Sequence, residues 1–303
     1  MNKIGIQSGE LYNDDNFSEI LPVVKEAGFD CIDFNIDNKI SFRETCDGKI
    51  NEFFLKSDDE LKEYYKPQKE LLNKLSLTVS QMHAPFPVYA KDNEQATKQL
   101  MNATRKCIML CEFFDCPYLV VHPVKLDDKK EEYNVNIEMY KSLIDDAKKY
   151  NVGICLENMF CSKDDHVYEA VCSDIKEAVD YIDTLNEIAG EKIFSFCYDL
   201  GHATLLGKNI RASINMLGER LTVLHIHDNN GLKDTHQQPF SNTRGKGWVT
   251  DWDGFIGGLK DIGFKGVLSF ETFNALVSLP EELHPAMITY IAQVGKYFGS
   301  KLS

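Results

Sequence analysis

What the sequence lacks narrows its class first. It has no run of about eighteen successive apolar residues, which removes a membrane-spanning helix from the expectation. The N-terminal stretch MNKIGIQSGELYNDD has no basic segment leading into an apolar one, so no secretory signal is read there and the cytoplasm is the expected compartment. None of the nine cysteines forms a Cys-x-x-Cys pair, which argues against a zinc ribbon or a dithiol redox centre. Cys31, Cys155 and Cys197 lie inside apolar runs, where a reduced thiol acts as a small hydrophobe. No Gly-x-Gly-x-x-Gly follows the first apolar run, which sets aside a Rossmann dinucleotide enzyme. Positive charge is in short supply: 33 Lys and Arg stand against 47 Asp and Glu, a net charge of -14 that disfavours nucleic acid and anionic membranes as partners. Linkers rich in Pro, Gly and Ser, low-complexity tracts and short-period repeats are also missing, so residues 1–303 are expected to form one domain.

What is present is an alternation of short apolar or β-branched runs with longer amphipathic stretches. Strands are expected at 3–7, 30–35, 77–83, 118–122, 152–157, 193–199, 222–227 and 267–271. Helical patterns fill 17–27, 58–75, 93–114, 136–149, 173–189, 209–217, 252–262 and 280–297. Strand and helix in strict succession predict an α/β fold with a parallel sheet wrapped by helices, here a (β/α)8 TIM barrel. Two connections, 36–52 and 228–249, are longer than is usual in compact domains and are expected to be functional loops on one rim.

Potential metal ligands recur at the ends of these strands, in QMHAPF, VVHPV, CLENMF, CYDLGHA, LHIHDNNG and SFETF. In a barrel all of these ends face the mouth where loops build the site. A lone His83 or His122 would more simply be a hydrogen-bonded structural histidine. Glu157, Asp199 and Glu271 buried together, however, would repel one another without a cation, and carboxylates mixed with imidazoles suit Zn, Mn, Fe or Co. Asp199 and His202, three apart around Gly201, can both turn inward if strand gives way to helix there. His225 and His227 share a strand face while Ile226 points to the helix layer; His225 is the expected ligand and His227 its neighbour in support. Asp228 is read as orienting a ligand or capping a turn. Asp234 and His236 form a further candidate pair, with a solvated loop as the plainer explanation. Arg244 and Lys246, in Asn-Thr-Arg-Gly-Lys-Gly, are read either as a phosphate nest or as a solvated turn.

The motifs LEN at Glu157, YDLGHA at Asp199 and His202, HIHDNNG at His225, DTH at Asp234 and His236, and FE at Glu271 resemble the xylose isomerase-like TIM-barrel superfamily. That superfamily holds sugar phosphate isomerases and epimerases together with endonuclease IV-like abasic-site endonucleases. The resemblance covers nearly the whole chain. It implies a divalent metal, Zn, Mn, Co or Mg, on Glu157, Asp199, His225 and Glu271, with one ion expected and room for up to three. It also implies that Glu157 and Glu271 act as acid and base on a sugar or sugar phosphate, through an enediolate that the metal stabilises. Asn158, His202, His227, Asn230 and His236 are then free to hold sugar hydroxyls. The endonuclease branch is the rival, because His83, His122, Glu157, Asp199, His202, His225, Asp234, His236 and Glu271 match its full three-zinc ligand set. Ala-Pro-Phe-Pro after His83 departs from that branch, which places a DNA-invading tyrosine there. The epimerase arginine expected after His225 is also missing, with only Lys233 nearby. A non-catalytic metal- or sugar-binding barrel is the third reading. A homo-oligomer is compatible with any of the three.

Overall fold

Each apolar run becomes a strand because the barrel buries both of its faces, inward on the barrel core and outward on a helix. The structure is a computed structural model and describes residues 2–164 and 166–302. Its barrel strands are β1 (Ile4–Gln7), β2 (Cys31–Asn35), β3 (Thr78–His83), β4 (Tyr118–Val120), β5 (Gly153–Glu157), β6 (Phe194–Asp199), β7 (Leu221–His225) and β8 (Leu268–Phe270). All neighbours pair in parallel, β1 with both β2 and β8. The ring closes through a parallel bridge between Ile226 and Phe270, with the Ile226 amide donating to Ser269 O at 2.9 Å. Eight parallel strands therefore form the expected TIM barrel.

Eight principal helices surround it: α1 (Phe17–Ala27), α2 (Asp58–Leu75), α3 (Glu94–Phe113), α4 (Lys129–Lys141), α5 (Ile175–Ala189), α6 (Ile210–Leu217), α7 (Trp252–Asp261) and α8 (His284–Leu302). Local chemistry sets their ends. Ser57 and Glu60 form a reciprocal capping box at the start of α2, and Gly28, at φ 103°, takes the left-handed turn that ends α1. The helix expected over 136–149 instead begins earlier, at Lys129, and breaks before a second helix, Ile144–Tyr150. Asp128 supplies the earlier cap by accepting from Glu131 N, and Ser142 Oγ turns back onto Met139 O at 2.7 Å where the break falls. The last helix starts at His284 because Pro280 opens a separate 3-10 turn, Glu281–Leu283.

The two long connections are structured. The first contains a 3-10 turn, Asp37–Lys39, and a short helix, Phe42–Cys46, capped by Ser41. The second is gathered around the fully buried Asp228, whose carboxylate accepts from Ser241 N, Asn242 N and Thr250 Oγ1 at 2.9, 3.0 and 2.7 Å. A hairpin after β5, Phe160–Lys163 with His166–Glu169, has no counterpart in the sequence reading. Its short polar strands bury little and leave no apolar periodicity to read. Among the described residues, no helix is long and apolar enough to cross a membrane.

The closing helix seals the barrel through aromatic packing. Phe298 is fully buried and stacks on Trp252 at 5.5 Å between ring centroids and on Phe270 at 6.2 Å. Gly295 allows this approach, since a Cβ there would lie 2.6 Å from Ile4 Cγ2. Phe298→Ala is expected to lower the unfolding free energy by about 3–5 kcal/mol in urea denaturation with an unchanged m-value. A loss under about 1 kcal/mol would show that α8 does not carry this seal.

Candidate active site

Because the side chain at each strand end points over the barrel mouth, the polar residues there meet whatever their separation in sequence. His83, Glu157, Asp199 and His225 are the terminal residues of β3, β5, β6 and β7. His122 and Glu271 follow just past β4 and β8. Glu157 lies at the centre: its Oε2 is 3.2 Å from both His122 Nε2 and His225 Nδ1 and 4.0 Å from His83 Nε2. The Nε2 atoms of His83 and His122 approach to 2.8 Å. On the other side, His225 Nδ1 is 3.3 Å from Glu271 Oε2 and 3.9 Å from Asp199 Oδ2. A third grouping joins Asp234 Oδ2 to His236 Nε2 at 2.8 Å and to His202 Nε2 at 3.3 Å. All nine candidate ligands read from the sequence are thus brought to one mouth.

His227 connects the groupings. Its Nε2 is 3.2 Å from both Asp199 oxygens, and its ring stacks on His236 with centroids 4.0 Å apart. Gly201 makes room for it: a Cβ at that position would fall 1.8 Å from the His227 ring. Gly201 sits in the first turn of the helix Leu200–Leu205, capped by Asp199, which accepts from His202 N at 2.7 Å.

Asn158 is buried and engages the Asp199 backbone in both directions, donating to its O and accepting from its N at 2.8 Å each. Asn230 is exposed and accepts from Leu232 N and Lys233 N, holding its own turn. Arg244 and Lys246 are exposed on the small hairpin Thr243–Arg244 with Gly247–Trp248, and like Asn230 they do not line the cavity over the cluster.

Three polar residues absent from the sequence reading complete the site. Asp33 is fully buried, with Oδ2 3.3 Å from His225 Nε2, and it accepts from Gln81 Nε2 at 2.8 Å. Gln7 Nε2 donates to Glu271 Oε1 at 2.5 Å. The legible signal was a polar residue inside a strand that is otherwise apolar, in CIDFN and IGIQ.

The donor set fits a divalent cation. Glu157 Oε2, Asp33 Oδ1, both ring nitrogens of His225 and His122 Nδ1 are buried without a hydrogen-bond partner, an arrangement costly in free energy unless something else satisfies them. The ligand atoms of His83, His122 and Glu157 lie within 4.8 Å of one another, as do those of Asp199, His225 and Glu271. Burial opposes the charged form of His83, yet Asp37 and Glu157 outweigh it and push the imidazole up to about 9. His227 is likewise pushed up to about 9, with burial outweighed by Asp199 and Asp234. Burial would raise the Glu157 carboxyl, but His122 and His225 hold it well below the usual carboxylate range.

Above the cluster opens a cavity of about 470 Å3. Its polar floor is walled by Phe86, Phe160 and Phe273, whose rings lie 4.4, 4.9 and 4.2 Å from the rings of His122, His202 and His236. Three aromatic faces above a carboxylate and imidazole floor can take a small molecule that is polar at its edges and carries C–H groups on its faces.

The family model described as xylose isomerase-like TIM barrel matches residues 21–292. An uncharacterized protein of Methanocaldococcus jannaschii, MJ1311, is 27% identical over 202 residues, an alignment that spans 64% of each chain. Inosose isomerase of Bacillus subtilis is 25% identical over 219 residues, covering 68% of this chain and 73% of that protein. Among solved structures, a D-tagatose 3-epimerase-like protein superposes with a TM-score of 0.72 at 19% identity, covering 99% of this chain and 100% of that one. The IOLI protein, solved with a binding zinc atom, gives 0.68 at 19% identity over 99% of this chain and 97% of its own. These two structures share the fold.

The paired bonds from Asn158 make a stability test. Asn158→Ala leaves the buried Asp199 N–H and C=O without these partners and is expected to cost about 1–3 kcal/mol in denaturant unfolding. An unchanged midpoint would mean that the clamp on Asp199 is not needed to hold the strand end.

Proposed function

The chain belongs to the xylose isomerase-like TIM-barrel family, and on that premise we propose that it is a metal-dependent sugar or sugar-phosphate isomerase or epimerase. The observation that carries this reading is the pair of strand-end glutamates, Glu157 and Glu271, both lining the cavity and both within 3.3 Å of His225 Nδ1. The name of the inosose isomerase relative and the zinc in the IOLI protein support it.

Glu157, Asp199, His225 and Glu271 would hold the cation, which when bound polarises a carbonyl and its neighbouring hydroxyl and so acidifies the C–H between them. One glutamate takes the proton from that carbon and the other returns a proton to the neighbouring carbon or to the opposite face. Glu157 is held ionised by its histidines, so its carboxylate carries no proton of its own at neutral pH. Gln7 fixes Oε1 of Glu271 and leaves Oε2 turned toward His225. His202 and His236 stand on the cavity wall where sugar hydroxyls would lie, and the three phenylalanine rings offer apolar surface to the sugar's C–H groups.

A specific observation keeps a second reading in view. The nine residues group as His83–His122–Glu157, Asp199–His225–Glu271 and His202–Asp234–His236, a set able to hold three zinc ions for phosphodiester hydrolysis of abasic DNA. The net charge of -14 weighs against a DNA substrate. Metal analysis is expected to give one tightly held ion per chain, with turnover on a panel of ketoses. Three zinc ions together with cleavage of an abasic-site duplex at low enzyme, lost in His83→Ala, would reverse the ranking. Metal binding with neither activity would leave a non-catalytic barrel.

Glu157→Gln and Glu271→Gln remove charge while keeping shape. Each is expected to lower kcat by about 100-fold or more with an unaltered circular dichroism spectrum, and full activity in either variant removes that residue from proton transfer. Metal affinity is expected to depend on pH. His83 and His227 are pushed up to about 9, so near neutrality the metal-free cluster carries protons that an incoming cation displaces. Affinity measured by chelator competition should therefore rise steadily from pH 6.5 to about 9. A flat profile would mean that these imidazoles bind no proton in the metal-free protein.

A further inference from the structure

We propose that the site has a second compartment, walled by Lys163 and Lys233, that receives an oxyanion on the non-reacting end of the substrate, a phosphate ester or a carboxylate. The inference rests on the isomerase reading and narrows its substrate class. A separate cavity of about 570 Å3 lies beside the cup and shares two wall residues with it, Phe160 and Asp234. The two spaces are neighbours, and in this proposal one ligand spans both, its reacting end at the glutamates and its far end beyond Phe160.

Two lysines line it from different parts of the chain. Lys163 ends the first strand of the hairpin after β5, and Lys233 lies in the connection after β7. Among the described residues neither side chain has an ion pair or hydrogen bond, whereas nearby Lys208 is paired with Glu169. The Lys233 segment is held in shape, since Asn230 Oδ1 accepts from Leu232 N and Lys233 N at 2.9 Å each.

The charge balance of the compartment favours an anion. Asp234 faces it, but its carboxylate is already matched by His202 and His236. Among the described residues that line it, that leaves Asp164 as the one opposing charge against two unpaired ammonium groups. The protein as a whole is strongly acidic, so a negatively charged ligand is held only where local cations outweigh the long-range field. Lysine serves this role as a point charge for phosphate. The remaining wall includes Val167 and the 69% exposed Leu232, an uncovered apolar surface against which the carbon chain of such a ligand packs. Arg244 and Lys246, the basic pair singled out in the sequence, line neither cavity.

The test is isothermal titration of the metal-loaded protein with ribulose, ribulose 5-phosphate and a hexulosonate, repeated on the double variant Lys163→Gln, Lys233→Gln. At least one anionic ligand is expected to bind about tenfold or more tightly than the neutral ketose, with the ratio falling below about threefold in the variant. The arm that shows the larger ratio identifies phosphate or carboxylate as the group received. Equal binding of all three ligands by the wild type, or a preference that survives in the variant, overturns the proposal. Turnover is followed separately by NMR, so a protein that keeps the charge preference but converts none of the ligands would sink the isomerase reading and leave the compartment standing.

Discussion

The structure depends on how buried negative charge is compensated at the mouth of the barrel. Glu157, Asp199 and Glu271 are withdrawn from water in a ring of strand ends, with Asp33 buried just beneath them in mid-strand. Carboxylates this close repel one another unless positive charge or hydrogen-bond donors stand between them. Imidazoles fill those positions: His225 lies between Glu157, Glu271 and Asp33, His227 against Asp199, and His202 and His236 on either side of Asp234. Several of these atoms still have no hydrogen-bond partner, which is why the cluster has the character of a cation site rather than of a core network.

That requirement reaches outward into the scaffold. Asn158 clamps the strand end that carries Asp199, Gly201 leaves the space that His227 occupies, and Gln81 holds Asp33 in place beneath His225. Asp228 organises the long connection after β7 through bonds to Ser241, Asn242 and Thr250, and so sets the course of the segment that carries Asp234 and His236. The phenylalanines on the wall serve two ends at once. They pack against the imidazoles of His122, His202 and His236, with Phe273 stacked on His236, and they add apolar surface to the cavity wall.

Much of this was legible from the sequence. All eight strands lie where the apolar runs put them, because a strand covered on both faces must be nearly continuous in apolar residues. The ligand candidates were legible because an ionisable residue closing an apolar run has few structural explanations. Less legible were the residues that act on backbone or on other side chains. Asn158 reads as a sugar contact until its amide is seen paired with the Asp199 main chain, and Asp33 is one acid among many until it is found beneath His225. The hairpin Phe160–Lys163 with His166–Glu169 left no periodic signal, since its strands bury too little to need one.

The sequence by itself determined the alternation of strand and helix, the identity of the ionisable groups and their place at strand ends, because these follow from local periodicity and from the cost of burying charge. Tertiary structure alone decided which of those groups touch. It set Glu157 between His122 and His225, joined Asp234 to His202 across the mouth, and turned Arg244 and Lys246 out to solvent while Lys163 and Lys233 face a common hollow. The physical reason is closure of the barrel. Parallel pairing and the Ile226 to Phe270 bridge fix the order of the strand ends around the ring, and that order is a property of the closed sheet that no single segment contains.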